Sequence, residues 1–403
     1  MSHQYKDPAN GVKSSIGPQI VTAYYQKQAL IELRKEQYFT QLASATAIPA
    51  NYGKTIKRFH YMPILDDRNV SDEGIDATGA RIANGNLYGS SKDIGSIPGK
   101  MPVLGENGGR VNRVGTTRLE LEGTFEKFGF FTEYTRDSLN FDTDADLLQH
   151  INRELLTAAN QTTEDALQID LLNNAGTLRY PGAATARSEV DGSLPTYGDL
   201  MRLSIDLDNN RTPKHTTILT GTRNIDTKVI PAARYAYIGS ELIPTLRAMQ
   251  DLHGNPAFVS AEKYASGTTL AAGEIGAVDQ FRFIVNPNMF KWSGAGKDAT
   301  DANVPATAVD AGGTKLKAAS YYSTGGKFDV FPILVVGDES FATITFQTSG
   351  NTVKFEINHK RPGDNLDRLD PFGETGFISI RWFYGFMALR PERIALIQTA
   401  ALM

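Results

Sequence analysis

Cysteine is absent from all 403 residues. The chain can therefore form no disulfide, no thiolate nucleophile and no Cys-ligated metal site, which is consistent with folding in a reducing cytoplasm. Long apolar runs are missing too. No window of about 18 apolar residues occurs, so no membrane-spanning helix is expected. The N-terminal MSHQYKDPANGVKSS has no apolar core of the kind a signal peptide carries, so none is expected. Neither sign of charge dominates. There are 41 Lys and Arg against 45 Asp and Glu, a net charge of −4, which points to neither nucleic acid nor a membrane surface.

Chemistry-bearing patterns are equally scarce. The six histidines, His3, His60, His150, His215, His253 and His359, are scattered and none pairs at metal-ligand spacing. GAGKDAT (294–300) is similar to a phosphate loop in part, but Lys291 stands where the first Gly is required and Asp298 replaces the Ser or Thr. DTDADL (142–147) alternates carboxylates as a calcium loop does. It lacks the Gly at the sixth position, and Arg153 stands where the Glu is needed; a helix N-terminus attracting Asp accounts for it better. No G-x-S-x-G elbow occurs. Nothing here predicts an enzyme, a cofactor or a metal.

What is present is organisation. The 41% apolar and 21% charged residues are an ordinary globular mix, and the length allows two or three cores. After a polar start, Gly17-Pro18 opens a predicted helix that runs through PQIVTAYYQKQALIELRKEQYFTQLA, with Ile20, Tyr24, Ile31, Tyr38 and Leu42 on one stripe. Pro49 ends this arm. Residues 1–60 hold eight Lys and Arg against three Asp and Glu, a balance of +5 that leaves −9 for the remainder. Such an excess suits a solvated helix face, an arm lying on an acidic neighbour, or a surface facing nucleic acid.

A flap follows over 51–134. KTIKRFHYMPIL (54–65) and RLELEGTFEKFGFFTEY (118–134) read as strands, and about fifty residues of Gly, Asp, Asn and Ser lie between them. A loop of that length is improbable in a compact domain unless it binds something. Leu119, Leu121 and Phe125 alternate as on a half-buried strand. The phase then slips and Phe128 and Phe130 take over, which predicts a bulge or a change of packing partner near Glu126. Lys57 and Arg58, in KRFH, read as charges at a strand end or as salt bridges between subunits, a source of specificity when repeated in a symmetric assembly.

TDADLLQHINRELLTAANQTTEDALQIDLLNNAG predicts a long helix over 143–175, with Thr143 and Asp146 at capping-box spacing and Gly176 as C-terminal cap. Its narrow stripe is Leu148, Ile151, Leu155, Ala159, Thr162, Ala166 and Ile169. Pro195 opens a further helix, and helical stretches are expected in TKVIPAARYAYIG and SELIPTLRAM. Strands are expected at 216–221, 280–288, 328–337, 341–348 and 352–360 and in two C-terminal runs split by Pro391. The class is α+β. Arm and flap both carry apolar surface that the chain does not bury by itself, and the economical partner is another copy of the chain.

This order of parts resembles the major capsid proteins of tailed bacteriophages, the Hong-Kong-97-type fold. AGEIGAVDQFRFIVNPNMF (272–290), FPILVVGDESFATI (331–344) and HKRPGDNLDRLDPFGETGFISIRWFYGFMALRPERIALI (359–397) are similar to the branch from short-tailed phages that carry a virion RNA polymerase. The resemblance implies an N-arm over 1–50, an E-loop over 51–134 and a peripheral domain over 135–195 with the spine helix. It also implies an axial domain mainly over 196–350 with a surface insertion at 293–326, and return strands over 351–403. It implies hexameric and pentameric capsomers of an icosahedral virion shell around double-stranded DNA held non-specifically, assembled in the bacterial host cytoplasm. A separate scaffolding protein and a portal are implied partners, with a decoration protein as a further candidate, and Gly105, Gly108 and Gly109 as hinges in maturation. Ile20, Tyr24, Ile31, Tyr38, Lys57, Arg58, Leu119, Leu121, Phe125, Phe128 and Phe130 become the expected inter-subunit residues, with no covalent crosslink. The alternatives are an encapsulin-type nanocompartment enclosing protein cargo, a soluble enzyme with a long lid loop, and a tail or decoration protein.

Overall fold

The computed structural model describes residues 38–49, 54–62, 106, 116–141, 147–219, 227–230, 234–263, 273–309, 313–347, 355–364 and 370–403. Two units can be described separately. The larger holds Gln37–Phe130, Ala159–Asn358 and Ser379–Met403; the smaller includes Phe131–Ala158 and His359–Ile378.

The larger unit is built on a seven-stranded sheet. Its order is Thr177–Arg179, Ile394–Thr399, Phe331–Val336, Arg234–Ile238, Phe281–Val285, Glu274–Val278 and Val259–Ser260. The three strands Ile394–Thr399, Phe331–Val336 and Arg234–Ile238 are buried at every residue. Covered on both faces, they read in the sequence as unbroken runs rather than alternations. The helix Tyr197–Asn209 packs on the same core through Leu200, Leu203 and Leu207, spaced three and four apart. It starts at Thr196, whose hydroxyl accepts from the Asp199 amide while the Asp199 carboxylate accepts from the Thr196 amide. Its far end is tied to the sheet by buried Arg234, which donates to Asp208 at 2.6 Å and to the Thr212 carbonyl at 2.7 Å.

A second sheet joins Ser44–Pro49, Phe341–Gln347, Thr375–Ala388 and Phe355–Lys360, with Glu126–Thr135 also paired to Thr375–Ala388. The long helix spans Leu147–Asn173. From Ala159 onward it buries Thr163, Glu164, Leu167, Gln168, Leu171 and Leu172. In the smaller unit the Tyr134 hydroxyl meets His359 Nε2 at 2.5 Å. There Asp370 accepts from the Glu374 amide, the Thr375 amide and the Thr375 hydroxyl at 2.9, 2.9 and 2.7 Å. These donors, the Thr375 hydroxyl foremost, hold the Asp370 carboxyl down at about 2.

Several expectations are corrected. Within TKVIPAARYAYIG, Thr227–Ile230 and Arg234–Ile238 are strands and not helix, because RYAYI fills the centre of the seven-stranded sheet and burial overrides local propensity. The arm helix does not continue to Ala43. Thr40–Leu42 make a 3-10 turn and Ser44–Pro49 a strand parallel to Phe341–Gln347. Gly176 is not a left-handed cap; its amide donates to the Pro391 carbonyl at 3.0 Å, and a Cβ there would lie 2.6 Å from that oxygen. On the long helix Thr162 and Ile169 are exposed, because the buried face advances by fours through Ala159, Thr163, Leu167 and Leu171 and slants away from a 3.5-residue stripe. Residues 293–326 are more than a surface insertion, since Val304, Ala318 and Tyr321 form a small core with Val190, Phe328, Val330 and Ala400. The expected cap at Thr143 and Asp146, the flap tip with Gly105, Gly108 and Gly109, and most of the arm lie outside the described residues.

Candidate interaction surface

Of the expected flap, Thr55–Tyr61 and Arg118–Thr124 form a two-stranded antiparallel ribbon, in register from Thr55 opposite Thr124 to Tyr61 opposite Arg118. Residues directly opposite share a face. One face therefore carries Lys57, Phe59, Tyr61, Arg118, Glu120 and Glu122. The other carries Ile56, Arg58, His60, Leu119, Leu121 and Gly123. The second face is covered at its base: Ile56 and Leu121 pack against Phe125, Ala342, Ile344 and Met387. The first face looks outward. Phe59 is 44% exposed and Tyr61 66%, and the Arg118 guanidinium sits 4.1 Å from the centre of the Phe59 ring. Lys57 bridges both Glu120 and Glu122, the latter at 2.7 Å. The hydrogen bond to Glu120, and then that to Glu122, raise its ammonium above the usual lysine range.

The slip in phase has a plain cause. Up to Thr124 the chain pairs with Thr55–Tyr61; from Glu126 it pairs with Thr375–Ala388. Buried Phe125 is the pivot, edge-on to Phe383 at 5.4 Å between ring centres. A side chain at Gly385 would collide with the Thr124 carbonyl, so the close crossing needs glycine. Phe128 stacks over Trp382 at 6.1 Å and Phe130 meets the same ring edge-on at 5.4 Å.

The expected contact residues thus fall into separate groups. Ile20, Tyr24 and Ile31 lie outside the described residues. Tyr38 is buried in its own chain, as is Phe125. Leu121, Phe128 and Phe130 meet partners in the same chain, although Phe128 keeps about a third of its surface. Lys57 is engaged by its own ribbon. Arg58 is exposed and borders a cleft of about 200 Å³ with His60, Leu121, Glu339, Leu389 and Arg390. Leu119 stays half-exposed. Sequence reasoning missed Phe59 and Tyr61, although their alternation with charged residues in KRFHY was visible.

It also missed Glu164, which is 6% exposed on the packed face of the long helix. Glu164 Oε1 accepts from the Tyr38 and Phe39 amides at 2.7 and 2.6 Å; Oε2 accepts from the Thr40 amide at 3.2 Å and from the Thr40 hydroxyl. The carboxylate does for the turn at Thr40–Leu42 what a capping side chain does for a helix, and fixes the inner end of the arm. The clue was a carboxylate on the same face as Ala159, Leu167 and Leu171.

Beyond this surface, an open groove of about 650 Å³ runs along the outer side of the long helix, bordered by Glu122, Glu126, Phe128, Ile169, Asp170 and Tyr384 among others. Among the described residues no three of His, Cys, Asp and Glu converge as metal ligands, and no helix is long and apolar enough to cross a membrane.

The sequence profile of a family described as phage capsid protein matches residues 118–397. The chain is also 60% identical over 400 residues to the major capsid protein of Pseudomonas phage KPP21, covering 99% of this chain and 97% of that one. The chain belongs to the phage capsid protein family. Solved capsid structures share its fold at low identity. The capsid of Ralstonia phage GP4 superposes with a TM-score of 0.57 at 11% identity, over 96% of this chain and 98% of that one. The Cyanophage Pam1 capsid subunit gives 0.52 at 11%, over 97% and 98%. The fold is therefore the Hong-Kong-97-type α+β fold, and the protein is a structural subunit of a tailed-phage virion shell. The encapsulin, lid-loop enzyme and accessory-protein alternatives have no support in these relationships.

Proposed function

We propose that this major capsid protein acts by assembly and not by catalysis, forming hexameric and pentameric capsomers whose flap ribbon lies on the neighbouring subunit. The outward ribbon face carries the proposal. Phe59 and Tyr61 stand exposed side by side, framed by Lys57, Arg118, Glu120 and Glu122. Aromatic side chains within a charged rim are the composition of a protein interface. Fixed charges of both signs add register and specificity more than affinity. The lumen takes double-stranded DNA through few, non-specific and salt-sensitive contacts, since a net charge of −4 supplies little attraction. A separate scaffolding protein and a portal complete the particle.

Negative-stain electron microscopy of the protein, expressed alone and with its scaffolding partner, tests this. Closed shells or six-fold rings are the expected result. A monodisperse monomer under both conditions would overturn it.

A further inference from the structure

Ile56 and Leu121 close the inner end of the junction between the ribbon and the rest of the larger unit. Further along the same ribbon face the two surfaces part. The cleft of about 200 Å³ that opens there is lined by Arg58 and His60 from the ribbon and by Glu339, Leu389 and Arg390 from the opposite wall. Both walls bring cations. Arg58 and His60 are two apart on one strand and share a face. Arg390 stands on a fixed backbone, because the Leu389 and Arg390 amides both donate to the Ser340 carbonyl at 2.9 Å. Against two guanidinium groups and an imidazole, Glu339 is the one carboxylate lining the cleft among the described residues. It does not neutralise them. Its side chain is 72% exposed and its Oε2 stands 3.7 Å from Arg390 Nη1, longer than a charge-assisted hydrogen bond. Arg58 forms no ion pair among the described residues.

We propose that this cleft binds a small oxyanion of the phosphate class, held between Arg58 and His60 on the ribbon and Arg390 on the opposite wall. Guanidinium forks match such an ion in shape and in charge. Imidazole supplies a ring N–H whether neutral or charged. An anion between two walls of like charge replaces their repulsion with attraction to both. The bound ion ties the ribbon down beyond its apolar junction, and so fixes the direction in which Phe59 and Tyr61 look from the ribbon's other face. A cleft of this size admits a free ion and not a DNA duplex, whose grooves alone are about 6–12 Å wide. The site is separate from the outward ribbon face, and its test does not depend on the assembly reading.

The test titrates inorganic phosphate into the unassembled full-length chain, followed by phosphorus NMR, with sodium chloride holding the ionic strength constant. Saturable binding is expected, with a dissociation constant on the order of 1 mM, the scale of a few charge-assisted hydrogen bonds in water. Arg58→Ala and Arg390→Ala each weaken it by about tenfold. Arg58→Lys keeps the charge, loses the fork and falls between wild type and Arg58→Ala. Glu339→Gln tightens binding by about threefold, since it removes the opposing charge. Arg247→Ala, which removes an exposed cation from another surface, leaves binding unchanged. Phosphate also slows hydrogen exchange across Thr55–Tyr61 in the wild type and not in Arg58→Ala. No saturable binding, or binding indifferent to both Arg58→Lys and Glu339→Gln, would overturn the site. A short DNA duplex that displaces phosphate at a lower concentration of phosphate groups than the free ion needs would overturn the free ion in favour of the nucleic-acid backbone.

Discussion

The strands Ile394–Thr399 and Thr55–Tyr61 are of nearly equal length and have opposite fates. Every residue of the first is buried, between neighbours on both sides and cores on both faces. The second has one partner strand, and five of its seven residues are exposed. The first strand belongs to a sheet that the subunit completes alone. The second keeps Phe59 and Tyr61 in water, at a cost that only an external partner removes. Stability and assembly are therefore written into different strands, and substitutions should separate them.

The largest expected effect on the folded subunit is in the sheet. Phe283→Ala removes a fully buried ring and should cost about 3–5 kcal/mol, read by chemical denaturation of unassembled protein. A cost near zero would mean that this core does not hold the subunit together. Next comes Glu164→Ala, which strips the acceptor from three consecutive buried or half-buried amides. A loss of about 3 kcal/mol is expected, together with faster hydrogen exchange at residues 38–40. Unchanged exchange there would show that the arm is held by something else.

Tyr61→Asp should do the reverse. The side chain is exposed, so the free subunit should shift by no more than about 0.5 kcal/mol, while shell yield falls sharply in electron micrographs. Normal shells from this variant would remove the ribbon from the proposed interface. The smallest effect is local and pH-dependent. Asp370 is half-buried and its carboxyl is held below the usual range. A depressed carboxyl stabilises the turn above the ordinary value of 3.8 and loses that contribution as pH falls toward about 2. Protection of the Glu374 and Thr375 amides should therefore decline across that window, and Asp370→Asn should flatten the decline.

The slip at Phe125 is where sequence and structure agree most usefully. Alternation through Leu119 and Leu121, broken before Phe128, announced a bulge or a change of partner, and the chain does change partners there. The same reasoning left Phe125, Phe128 and Phe130 waiting for a neighbouring subunit. Local pattern shows that a ring has to be covered and not which chain covers it. Phe383, Met387 and Trp382 were more than 250 positions away in the sequence.

Period, punctuation and composition by themselves determined the α+β class, the long helix, most C-terminal strands, the absence of cysteine chemistry and the two strands at the ends of the expected flap. These properties depend on neighbours within a few residues, where backbone geometry dictates spacing. Only the tertiary structure decided that RYAYI is a central strand, that 293–326 has a core of its own, that Glu164 receives the amides of residues 38–40, and that Phe59 and Tyr61 are among the rings left uncovered. Each of these depends on what lies across the sheet or helix from a residue, and such long-range contacts leave no period in the chain.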